Sequence, residues 1–148
     1  MLFKHAAQGD EKIFGTYKNV EASSLTTGYA VALAAAAASF DGTNACLAGT
    51  AATGRQINFI GIAARDIAPN AYGIVQHFGL CASVFISNVG SSITITLGDA
   101  CVPGALAGGV FSAVPTWLNS GFGVVIAVSC PAAVSAAGYM SGFVKRVL

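Results

Sequence analysis

The sequence predicts a mostly β domain, a compact barrel or jelly-roll-like sandwich (residues 25–148) led by an extended N-terminal arm (residues 1–24). Three observations predict it. From Leu25 onward the chain is a series of short apolar stretches separated by Gly, Asn, Asp and Pro every 8–15 positions, the spacing of strands joined by turns. No stretch carries the i, i+3, i+4 apolar stripe of an amphipathic helix. The charge is concentrated at one end: Lys4, Asp10, Glu11, Lys12, Lys18 and Glu21 crowd the first 21 residues, whereas Asp99 is the one charged residue from Ile67 to Val144.

Taken in order, the arm has no sustained period. Phe3, Ile13, Phe14 and Tyr17 stand among polar residues as anchors for a neighbouring surface, by strand addition or pocket docking. Deleting residues 1–20 is therefore expected to leave a folded oligomer that has lost its partner. In the body, Tyr29, Val31 and Leu33 alternate with Ala and lead into the Ala34–Ala38 run, which suits either a turn or two of helix or a buried strand. Ile57 to Ala63 reads as a strand with two apolar faces. Tyr72 to Phe78 alternates Tyr72, Ile74, Gln76 and Phe78 against Gly73, Val75 and His77, and Ser83 to Ser87 forms a separate short run. The clearest alternation is 92–99, with Ile93, Ile95 and Leu97 on one face and Thr94 and Thr96 on the other. Gly109–Val114, Gly123–Val128 and Tyr139–Val147 complete the strands. The small residues of the Ala34–Ala38 run and of Gly108-Gly109 permit close backbone approach.

Composition narrows the function. The chain is 148 residues long, 55% hydrophobic and 9% charged, against about 25% charged in ordinary soluble domains. So few charges imply that protein partners or a membrane cover much of the surface. Gly121 to Val144 lacks charge, but Pro131 and several Ser and Gly interrupt it, so it does not read as a spanning helix. A net charge of +1 provides no basic face for nucleic acid. Cys46, Cys81, Cys101 and Cys130 are widely separated, form no C-x-x-C pair and follow no secretory leader, and they read as buried free thiols.

Few residues suggest chemistry. Gly49 to Arg55 echoes a phosphate loop but lacks its Lys and Ser/Thr. No His/Cys/carboxylate spacing suits a metal. His77 with Asp66 or Asp99 has no marked nucleophile. No catalytic, cofactor-binding or metal-binding residue is expected, and the chain reads as no enzyme. Arg65 and Asp66 are placed to pair with each other or across a subunit boundary. Together with Phe3, Phe14, Tyr17 and Tyr72 they form the expected partner-contact set.

The segments "FIGIAARDIAPNAYGIVQHFG" (59–79) and "FGTYKNVEASSLTTGYAVAL" (14–33) carry a resemblance. A strand ending Gly-Ile-Ala, a linker with an acidic residue and Pro69, then a Tyr-Gly-Ile-Val-Gln strand closed by Gly79, resembles the capsid decoration (cement) proteins of tailed bacteriophages. The resemblance implies a compact β fold made in the host cytoplasm and bound to the outside of the icosahedral head. There it would clamp adjacent major capsid subunits against packaged DNA, as a homotrimer (favoured) or homodimer, without cofactor, nucleic acid or membrane. It carries over no individual site residue. The alternatives are another virion part, such as a head-fibre base or a small shell or tail subunit, and, less favoured, a membrane-associated protein.

Overall fold

A computed structural model describes residues 11–34, 43–47, 59–86, 95, 97–103, 111–113, 125–129 and 138–145. Their regular structure is all β: β1 (Ile13–Asn19), β2 (Ala30–Leu33), β3 (Asn44–Leu47), β4 (Phe59–Ala63), β5 (Tyr72–Ile86), β6 (Ala100–Pro103), β7 (Phe111–Ala113), β8 (Val125–Ser129) and β9 (Gly138–Lys145). The strands follow the order β1-β3-β2-β4-β5-β7-β6-β8-β9, and β5 makes additional pairings with β1 and with β9. Two circuits of paired strands therefore close on β5. β1-β3-β2-β4-β5 is a five-stranded barrel, and β5-β7-β6-β8-β9 is a second ring built on the other half of the same strand. The expected compact β-barrel is present.

β5 serves both circuits because it is long and bends. Its first half pairs antiparallel with β1, from Lys18↔Tyr72 to Ile13↔Phe78. Its second half pairs antiparallel with β9, from Phe78↔Lys145 to Ile86↔Gly138. Gly79 sits at the junction with φ +98°, a conformation that side-chain-bearing residues avoid. A Cβ there would run into the carbonyl oxygen of Glu11. The expected separate strands at 72–78 and 83–87 are thus one strand, since the glycine between them redirects the chain without ending the ladder.

Two cores follow from this arrangement. Inside the first barrel, Val31, Ala45, Ile60, Ala63 and Val75 pack with Leu25 and Ile67, and Tyr17, Leu33 and Ala71 lie against them. The opposite faces of β2, β3 and β4 (Ala30, Ala32, Cys46, Phe59 and Ile62) join Cys81, Val84, Ile86, Ile95, Cys101, Val125, Met140 and Val144 in a second core. β2 and β4 are buried on both faces, which accounts for the doubly apolar reading of 57–63. The register supports it: Val31 is opposite Gly61 and Ala32 opposite Phe59, leaving Ile60 as the extra residue of a bulge. That bulge turns Ile60 and Ala63 to the first core and Phe59 and Ile62 to the second. The described thiols, Cys46, Cys81 and Cys101, are free and buried. Burial pushes the Cys81 thiol above its ordinary value, against the opposing effects of its bond to the Ser83 carbonyl and the charge of Lys12.

Two connections seal one end of the first barrel. Leu25 and Ile67 exchange backbone hydrogen bonds of 3.0 and 2.9 Å. Between β4 and β5, Ala71 N–H donates to Ala68 C=O at 3.1 Å, and Asn70 has φ 60°. Pro69 and Asn70 therefore fill the central positions of a type II turn, where Pro fixes the first φ and Asn tolerates the second.

Several expectations are corrected. Residues 13–19 are barrel wall, paired with β5 from Ile13 to Lys18 and with β3 at Lys18 and Asn19, so the segment 1–24 is not an arm throughout. The burial of Tyr17 and Asn19 on the inner side of β1 requires this strand, and deleting residues 1–20 would open the barrel. The 92–99 strand is also not observed as drawn. Ile95 is buried, but Leu97 and Gly98 form a turn, with Gly98 at φ +88° and Leu97 74% exposed; residues 92–94 and 96 lie outside the described set. Phe3, Ala35–Ala38, the 49–55 loop, Gly108-Gly109 and Cys130 lie outside it too. No helix among the described residues is long and apolar enough to cross a membrane.

Candidate functional site

The outer wall of the first barrel where β1 meets β5 is the surface that stands out. On β1 the inward side carries Gly15, Tyr17 and Asn19, and the outward side Phe14, Thr16 and Lys18. On β5 the inward side carries Gly73, Val75 and His77, and the opposite side Tyr72 and Ile74, followed by Gln76, which is buried at 4% exposure. The register pairs Phe14 with Gln76, Thr16 with Ile74, and Lys18 with Tyr72. Phe14 is 49% exposed, Tyr72 67% and Ile74 41%, and Ile13 at the strand end is 50% exposed. Phe14, Ile74 and Tyr72 thus present a strip of two aromatic side chains and one aliphatic to solvent on this face, whereas Ile13 alternates to the side of Gly15. Such strips mark interaction surfaces more often than scattered single residues do.

The inner side of the same wall ties three strands together through His77. His77 is buried, and its Nδ1 lies 2.7 Å from the Ile60 carbonyl oxygen while its Nε2 lies 3.1 Å from the Tyr17 hydroxyl. A carbonyl only accepts, so Nδ1 carries the proton, and in the neutral ring Nε2 accepts from the tyrosine O–H. β1, β4 and β5 are thereby tied through one imidazole. Gly15 makes the space for it, since a Cβ at that position would collide with Nε2. Between Ile13↔Phe78 and Phe14↔Gln76 the ladder skips His77, and this bulge seats the ring.

The loop beside the strip carries the acidic candidate. Asp66 Oδ1 accepts from the Thr27 amide and from the Thr27 hydroxyl, both at 2.7 Å. It is this threonine, and not Arg65, that holds the carboxylate. The two hydrogen bonds, the amide bond first, keep the Asp66 carboxyl below its ordinary value of 3.8. The sign follows directly: a depressed folded-state value contributes stability above pH 3.8 that is lost as pH falls through the lower, folded value. Carboxyl NMR titration is expected to give Asp66 a midpoint below 3.8, and Thr27→Ala is expected to move it upward. A Thr27→Ala midpoint unchanged from the parent would show that the hydroxyl bond does not contribute, since alanine keeps the amide.

Of the six expected contact residues, the structure brings Phe14 and Tyr72 together on the strip and places Arg65 and Asp66 on the exposed loop that follows β4. Tyr17 turns inward to His77. Phe3 lies outside the described residues. Ile74 and Lys18 belong to the surface and are not in that set; the alternation of Tyr72 with Ile74 is the signal for the first of these. Among the described residues no group of three His, Cys, Asp or Glu side chains could hold a metal ion.

The described strands define a small β-barrel module with exposed aromatic and aliphatic residues on its wall. No protein-family model matches the chain, and no curated protein matches it. Among solved structures it is similar to the N base of head fibre gp8.5 in bacteriophage phi29, with a TM-score of 0.52 and 11% identity over 91% of this chain and 95% of that one. At that identity the likeness is one of fold.

Proposed function

We propose that this chain is a structural protein of a tailed-phage virion, bound to the outer surface of the head. The observation that carries the reading is the fold likeness to a phage head-fibre base across nearly the whole of both chains. It agrees with the charge-poor composition, which calls for a covered surface, and with the apolar strip on β1 and β5. In the finer reading the protein acts as cement and clamps adjacent major capsid subunits. The second reading, the base of a head fibre, is favoured by the identity of the structural neighbour.

The test is co-sedimentation of the purified protein with expanded, empty heads of the phage whose genome encodes it. Binding at a fixed ratio to the major capsid protein is expected, and protein left entirely in the supernatant would sink the proposal. Heating decorated and bare full heads then separates the two readings. A clamp raises the temperature at which DNA is released; a fibre base leaves it unchanged while carrying a projection visible by electron microscopy.

A further inference from the structure

We propose that the chain is one barrel built twice on a shared strand, and that each half grips one of two neighbouring copies of the same partner protein. The inference deepens the virion reading above and rests on it for the partner, a repeating subunit of the head.

The repeat is written in the sheet. The strand order β1-β3-β2-β4-β5 becomes β5-β7-β6-β8-β9 when every number is raised by four. The sense of each pairing carries over as well. β1–β3 and β5–β7 are the parallel pairs, and the remaining pairs of each circuit are antiparallel. The registers agree residue by residue. Ala30↔Ile62 and Val31↔Gly61 in the first circuit answer to Ala100↔Ile126 and Cys101↔Val125 in the second. Leu33↔Ala45 answers to Pro103↔Phe111, Ile62↔Gln76 to Ile126↔Phe143, and Lys18↔Tyr72 to Phe85↔Tyr139. The turn ahead of β2 recurs ahead of β6: Gly28 at φ +87° and Gly98 at φ +88° stand just before Ala30 and Ala100, and Leu25 and Ile95, at matching positions before these glycines, are both buried. Two circuits of five strands need not share sense, register and turn; here they share all three.

The correspondence then assigns exposed side chains. In the first half Tyr72 is 67% exposed, and Phe14, opposite Gln76, is 49% exposed. Their counterparts are Tyr139, 47% exposed, and Leu80, opposite Phe143, 37% exposed. Each half thus presents a tyrosine on its closing strand and a large apolar residue on the strand beside it. β5 runs through both walls, so the two surfaces are joined at short range within one chain. A chain that shows one surface twice fits a partner that does the same, and a shell of identical subunits is such a partner. An unrepeated partner would match one wall and leave its counterpart uncovered.

Two linked sites bind about 10²–10⁴ times more tightly than either alone, and this supplies the test. Co-sedimentation with expanded, empty heads over a concentration series is expected to show Tyr72→Glu and Tyr139→Glu each weakening binding by at least about a hundredfold, to similar extents. The double variant should stay in the supernatant, with far-ultraviolet circular dichroism unchanged. The Tyr139 ring lies against Phe85, so if Tyr139→Glu fails to fold, Phe14→Glu and Leu80→Glu repeat the comparison. Saturation is expected at no more than one chain for every two major capsid subunits. A parent that binds heads while substitutions in either wall leave its affinity intact would overturn the inference and keep the virion reading, and so would saturation at one chain per subunit. A parent left entirely in the supernatant would overturn the virion reading and the inference with it.

Discussion

Gly61→Ala is expected to destabilise the protein by roughly 3–4 kcal/mol, an unusually large effect for the addition of one methyl group. A Cβ at this position would run into the backbone oxygen of Gln76 and lie 2.8 Å from its carbonyl carbon and 2.9 Å from Val75 Cγ1. Backbone atoms cannot swing aside as a flexible side chain can, so β4 must separate from β5 and the first barrel must open at its tightest seam. Filled cores resist even single methylenes; here the obstacle is the sheet itself. The measurement is urea unfolding, in which the midpoint should fall with little change in slope. Gly98→Ala is the control. Nothing lies within 4 Å of a Cβ there, but φ is +88°, so only the left-handed backbone penalty of about 1–2 kcal/mol remains. Equal losses for the two variants would show that contact with Gln76 is not the cause.

The second large effect is expected at Asn19, whose side chain is fully buried at the end of β1. Its Nδ2 donates to the carbonyls of Ser23 at 2.8 Å and Ile67 at 2.9 Å, and its Oδ1 accepts from the Glu21 amide at 2.9 Å. One side chain thereby shapes the 19–23 turn and fastens it to the connection ahead of β5. Asn19→Ala is expected to cost about 2–4 kcal/mol, because buried groups that lose a partner each forfeit about 1–3 kcal/mol. The Ile67 oxygen keeps its bond from the Leu25 amide, which limits the total. Asn19→Asp preserves the shape but turns an oxygen toward two carbonyl oxygens, so its loss should be at least as large at pH 7. A near-neutral Asn19→Asp would mean that the side chain acts by shape and not by donating.

The sequence disclosed the β class and most strands because apolar runs and turn residues are local signals. Tyr72–Phe78, 59–63 and the strand from residue 138 could be read in that way. β3 and β6 could not. Asn44–Leu47 and Ala100–Pro103 are four residues each, too short for a period, and partners distant in the chain define them. The supposed arm misled for a related reason. β1 places Gly15 and Asn19 on its inner side, where a strand ordinarily shows large aliphatic residues, since His77 fills the space over the one and a hydrogen-bonded turn surrounds the other. Half of the exposed strip was legible: Phe14 and Tyr72 were singled out as aromatic, but only the β1–β5 register shows that they share a wall with Ile74 and Lys18. Tyr17 turns inward by plain alternation with Gly15 and Asn19, but a glycine and an asparagine do not mark that face as the buried one.

The strand shared by both circuits has a consequence for how the chain comes off the ribosome. All five strands of the first barrel lie before Ser87, in order along the nascent polypeptide, so that barrel can close while the remainder is still being made. The second half of β5 then waits with its ladder groups unmatched until β9 appears. At about 5–20 residues per second, synthesis from Ile86 to Lys145 occupies roughly 3–12 s. During that interval a half-built protein offers neighbouring nascent chains an apolar template from Cys81 to Ile86. Translation speed through the second half of the message therefore bears on the yield of native protein: slow codons after Ile86 prolong the exposure, and fast ones shorten it.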